Sequence, residues 1–149
     1  MLNILKNGKK EEKYIKNDIN TLMNYFIKSK SLESKKEARK KLLLYKLKEL
    51  ALKSKSSDIK KVQYILDRKK DETTLKESLI YLNDLRDIKN SNLIDIKIYK
   101  AYLYEILNIE IGATQEYKEL IELKKSKEIF NLYHDFIVRT IIMNSINSS

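Results

Sequence analysis

Two residue types that are almost missing constrain this chain most. It has no proline and only two glycines, Gly8 and Gly112, in 149 residues. Average usage would be about 5% proline and about 7% glycine. Proline fixes φ and glycine frees it, and sheet-rich folds rely on both at their turns. A chain that does without them reads as long helices joined by short polar links. The expected fold is all-α, a compact bundle of six or seven helices, with stacked helical hairpins as the alternative arrangement. At this length one domain over 1–149 is expected, large enough for a core without staples. Residues 1–9 and 145–149 are expected to fray.

Apolar spacing places the helices. Ile15, Ile19, Leu22, Met23 and Phe26 recur at three- and four-residue steps over about 11–30. Ser34 with Glu37 reads as a capping box opening a second helix over about 33–55, its apolar face on Leu43, Leu44, Leu47, Leu50 and Ala51. A short helix from Asp58 to about Lys70 turns Ile59, Val62, Ile65 and Leu66 inward. Thr74 with Glu77 offers a second capping box, followed by Leu75, Leu79, Leu82 and Leu85. Leu93–Ile111 is apolar almost all round and belongs in the middle of the bundle. Part of it alternates as a strand would, but the run continues about 19 residues without a turn signal. Gly112 is expected to close it as a C-terminal cap. Two more helices follow, from Thr114 to about Lys124 and from about Lys127 to Asn144, with Ile129, Phe130, Tyr133, Phe136, Ile137 and Ile141 inward in the last. The stretch Tyr99–Lys125, two helices around Gly112, is loosely similar to one tetratricopeptide unit. The step from Glu77 to Glu116 is 39 residues, against about 34 in that family, so the likeness implies a helical hairpin and nothing more.

Several chemistries lack their residues. Without cysteine there are no disulfides or thiolate metal sites. Phosphate-binding glycine loops, nucleophile elbows and zinc motifs are absent. The only histidine, His134, is expected on the solvent side of the last helix. The carboxylates Glu105, Glu110, Glu116, Glu119, Glu122 and Asp135 could in principle gather a hard cation, but Glu116, Glu119 and Glu122 precede Lys124 and Lys125 at ordinary surface-pair spacings. No catalytic residue, metal or cofactor is therefore expected, and no enzyme. The apolar stretch at Met1–Lys6 is too short for a secretory signal, and no run reaches the ~20 residues of a membrane span. A cytoplasmic location is the default.

Charge supplies the positive signal. Residues 1–70 carry 21 Lys and Arg against 8 Asp and Glu, whereas 71–149 carry 10 against 13, giving +13 and −3 within a total of +10. Such asymmetry points to an anionic partner. A lysine-favouring codon bias would act on both halves alike. On the second helix the basic residues form two seven-residue stripes, Arg39–Lys46–Lys53 and Lys41–Lys48–Lys55. The expected contact set is Lys35, Lys36, Arg39, Lys40, Lys46, Lys53, Lys60 and Lys61. Lysine outnumbers arginine 27 to 4, which suits phosphate neutralisation rather than bidentate base reading. Tyr14, Tyr25, Tyr45 and Tyr64 lie in the basic half and could stack on exposed bases, although a core role is the commoner fate of each. The leading expectation is a small non-enzymatic protein that binds RNA or DNA, alone or within a nucleoprotein complex. The alternative is a protein-interaction module, such as an adaptor or a phage- or plasmid-borne inhibitor or immunity factor, using the same face against an acidic protein. Membrane-surface attachment through the second helix ranks last.

Overall fold

The computed structural model describes residues 2–145, with side chains described from Tyr14 onward. All regular structure in this span is helical: α1 (Leu2–Lys28), α2 (Leu32–Lys53), α3 (Ser57–Leu66), α4 (Glu72–Asn83), α5 (Asn90–Ile106), α6 (Glu110–Leu123) and α7 (Lys127–Asn144). The chain is thus an all-α bundle, with seven helices among the described residues. Of the expected frayed ends, Met1 and 146–149 lie outside the described residues, and α1 is helical from Leu2.

Four helices start on serine or aspartate caps, and for α2 and α4 the cap lies three residues upstream of the capping box read from the sequence. Ser31, not Ser34, caps α2, its side chain accepting from the Ser34 amide at 3.1 Å. Asp71, not Thr74, caps α4 by accepting from the Thr74 amide at 3.0 Å. Ser56 and Ser126 cap α3 and α7 in the same way. In each case the side chain sits three residues before the amide it satisfies, the usual N-cap reach.

The link after α5 turns on asparagine rather than glycine. Asn108 takes the left-handed conformation, with φ 62°, which asparagine tolerates better than most residues. Gly112 lies inside α6 instead of capping α5. A Cβ there would fall 2.4 Å from the Tyr104 ring. The missing side chain lets α6 approach that ring closely.

α2 and α5 form the hub. α5 packs against α2, α4 and α6, as its all-round apolarity predicts, and α2 packs against α1, α3, α5 and α7. One core cluster runs through α2 to α7, and a satellite of Phe26, Ala38 and Met143 joins α1, α2 and α7. Because α2 is covered on several sides, Ala38 and Leu42 are buried along with Leu43, Leu47 and Ala51. Two other helices turn differently from the single-face reading. In α3 Gln63 is buried and Ile65 exposed. In α7 the buried positions are Ile129, Phe136, Arg139 and Met143, while Phe130, Ile137 and Ile141 face outward. No helix among the described residues is long and apolar enough to cross a membrane.

Candidate nucleic-acid interface

The two stripes of α2 point to different surroundings. On the first, Arg39 is only 8% exposed and donates to the Asn108 side-chain oxygen. Arg139 of α7 lies beyond it and makes a bidentate pair with Glu105 of α5, with both N–O distances at 2.8 Å. Both members of that pair are 2% exposed. Burial alone would pull the Arg139 pKa down, but the charge and hydrogen bonds of Glu105 outweigh it and hold the guanidinium charged. Lys46, one turn-pair along the stripe, is half-buried. Burial lowers its pKa and Arg139 adds to the effect, against Asp135, Glu49 and Glu105. Lys46 and Lys53 line a cavity of about 380 Å³ that also contains Glu49, Asp95 and Glu128.

The second stripe opens onto a cleft of about 420 Å³ between α2 and α3. Lys40, Lys41, Lys48 and Lys70 line it, against the carboxylates of Glu37 and Asp67. Leu44 and Leu66 supply apolar floor, and Tyr45 stands half-buried in the wall. Gln63 ties the floor to the core: it accepts from the Tyr99 hydroxyl at 2.8 Å and donates to Asp67 at 2.9 Å. That bond fixes one of the two acids away from free rotation. Beside the cleft, Arg68 just past α3 stacks over the ring of Tyr64 on α3 at 3.7 Å, and Tyr64 is 61% exposed. Tyr14 and Tyr25 are exposed as well. Three of the four tyrosines in the basic half are therefore surface residues, not core. Residues 32–70 carry fourteen Lys and Arg against five Asp and Glu, a net of +9 in a chain of +10.

The eight residues singled out from sequence separate into several groups. Lys35 is buried and its ammonium donates to the Phe26 and Ile27 carbonyls, at 3.0 and 3.2 Å, closing the C-terminus of α1. Lys60 does the same for α2 through the Ala51 carbonyl at 2.9 Å. Lys61 sits over the Tyr81 ring. Lys36 and Arg39 share a small cavity beside α7, Lys46 and Lys53 share the mixed-charge one, and Lys40 alone lines the α2–α3 cleft. Lys41, Lys48 and Lys70 join Lys40 there. The signal for the first two was present in the seven-residue spacing of the second stripe. Lys70 lies beyond the end of α3, where periodicity says nothing.

Elsewhere the polar side chains serve packing. His134 is exposed beside Asp135. Glu116 does not pair along its own helix: it is buried and meets Lys100 at 3.1 Å and Lys97 at 3.5 Å, both from α5, with Glu119 also on Lys97 at 3.0 Å. No group of acids and histidines with metal-binding geometry occurs among the described residues. Compared with protein-family models, curated proteins and solved structures, the chain matches none at a significant level.

Proposed function

We propose that the chain is a non-enzymatic binding protein whose α2–α3 cleft engages the phosphate backbone of RNA or DNA. The observation that carries this reading is the cleft itself, with three lysines of α2 and Lys70 just past α3 around an apolar floor and a tyrosine. Lysines at such spacing neutralise successive phosphates and release counterions, giving affinity that is sequence-tolerant and steeply salt-dependent. The exposed tyrosines offer π-faces to unpaired bases, which favours single strands. Arginine is largely committed elsewhere: Arg39 and Arg139 are internal, and Arg68 lies on Tyr64. Base reading by bidentate guanidinium groups is accordingly weak in this proposal.

The test is fluorescence anisotropy with labelled single- and double-stranded RNA and DNA, across ~50 to ~300 mM salt. Binding on the order of micromolar at physiological salt, weakened by Lys41→Glu or Lys70→Glu with the fold intact, supports the proposal. Binding that vanishes by ~100 mM salt, or that ignores these substitutions, refutes it. A second reading, a protein-interaction module, draws on Phe130, Ile137 and Ile141, which stand exposed on one side of α7. A complex of fixed stoichiometry that survives nuclease treatment would favour that reading over the first.

A further inference from the structure

On the opposite side of α2 from the cleft, a cavity of about 310 Å³ opens between the start of α2, the α5–α6 link and α7. Its polar wall holds Lys36, Arg39, Asn108 and Glu110, and Leu32 and Phe136 form an apolar side. The chemistry of Arg39 is unusual there. Its neighbour Glu105 has both oxygens taken by Arg139. Among the described residues Arg39 forms no salt bridge, and its hydrogen bond goes to a neutral amide, Asn108. A guanidinium has five donors, of which this bond uses one, and Arg39 lines the cavity. Buried charges are ordinarily paired, because desolvation without a counter-charge is costly. Burial accordingly pulls the Arg39 pKa below the arginine range, with Arg139 adding to the effect and Glu105 and Glu110 opposing it.

Two further features fit an anion at this place. Lys36 stands exposed at the rim and adds a second cation. Glu110 begins α6, and that helix has no side-chain cap at Ile109, so its first amides lack the acceptor that serine and aspartate give α2, α3, α4 and α7. The charged lining residues are Lys36, Arg39, Glu105 and Glu110, and because Glu105 is neutralised from behind the wall by Arg139, Lys36 and Arg39 are left facing Glu110 alone.

We propose that this cavity is a binding site for a small oxyanion, a carboxylate or phosphate group on a compact ligand, with Arg39 as its principal contact and Lys36 at its rim. The volume is at the small end for ligand sites, and the apolar side suits a short carbon skeleton attached to the anionic group. The site is separate from the α2–α3 cleft and stands or falls independently of nucleic-acid binding.

The experiment is an NMR titration of the isotope-labelled full chain with sodium acetate, inorganic phosphate and acetamide, with ionic strength held constant. Acetate is expected to give saturable shifts at the Arg39 Nε–H, the Asn108 side-chain amide and the backbone amides of Glu110 and Ile111. Acetamide, the same shape without charge, should give none. Phosphate that shifts the same signals at lower concentration than acetate would assign the natural ligand to the phosphate class, and the reverse order to the carboxylates. Arg39→Gln should abolish saturation, and Lys36→Ala should weaken binding about threefold, as loss of one partly solvated ion pair would. Lys36 is exposed, so that second variant tests the site even if Arg39→Gln does not fold. Shifts that stay linear with concentration, that acetamide reproduces, or that appear only at Lys40, Lys41 and Lys70 would overturn the proposal.

Discussion

The two sides of α2 carry the same kind of charge at the same spacing and put it to different use. Arg39 and Lys46 face α5 and α7, which bring Glu105 and Asp135 near them, with Glu49 of α2 beside Lys46. Lys41 and Lys48 face the α3 cleft, where two carboxylates meet four lysines. On the first side Arg39 is buried and Lys46 half-buried among the charges of the neighbouring helices. On the second, Lys41 stands exposed at a concave surface. The teaching is that a charge stripe acquires meaning from what its helix packs against, and α2 has a different neighbour on each side.

The comparison is broken most forcefully at its buried end. Removing one member of the Arg139–Glu105 pair leaves the other charge buried without compensation, and Arg139→Met or Glu105→Gln should each cost ~3–5 kcal/mol in urea unfolding. The double variant should recover much of that loss, since the stranded charge is then gone. A small effect from either single change would mean that the interior side is not the stability side.

Alkaline titration probes the same interior. Burial raises the pKa of Tyr99 and Tyr117 well above the usual value, and that of Tyr102 to about 12. In the unfolded chain tyrosine ionises near ~10. The folded state therefore holds these protons more tightly, and the stability they confer is complete below that pH and lost as pH rises through the folded values. Stability should fall progressively above pH ~10, and tyrosinate absorbance should report some tyrosines that ionise only as the chain unfolds.

Lys35 sharpens the comparison from within the basic half. It was expected to contact phosphate, but its ammonium is spent on the carbonyls that end α1. Lys35→Met should lower stability by ~1–3 kcal/mol, the range for leaving buried acceptors unpaired, and leave the salt slope of nucleic-acid binding unchanged.

The smallest stability effects belong to the cleft. Lys41→Glu and Lys70→Glu should change unfolding free energy by no more than ~0.5 kcal/mol, as exposed substitutions usually do. Each should nevertheless reduce the salt slope of binding by about one unit. Lys53→Glu, on the first stripe, is the control. An equal loss of affinity there would erase the distinction between the two sides of α2.

The all-helical build and the central place of α5 were legible because both depend on local composition. Missing proline and glycine leave few ways to turn, and an all-round apolar helix has only the middle of a bundle to occupy. α7 was legible in its limits, Lys127–Asn144, but not in its orientation. Three of its apolar residues, Phe130, Ile137 and Ile141, face outward, while Arg139 takes a core position because Glu105 waits there. The cleft was half legible: Lys41 and Lys48 lie on a stripe visible in the sequence, yet of the eight residues singled out only Lys40 lines the cleft, while Arg39 and Lys46 came from the other stripe.

By itself, then, the sequence determined that this protein is a bundle of helices, roughly where most of them run, and that its positive charge lies in the first half. Which cations are interior and which remain at a surface was decided only by tertiary packing. The physical reason is one of range. Helix propensity and apolar periodicity act over a few residues, so they can be read along the chain. The partner that makes burial of Arg139 favourable is 34 positions away, and no local pattern carries that distance.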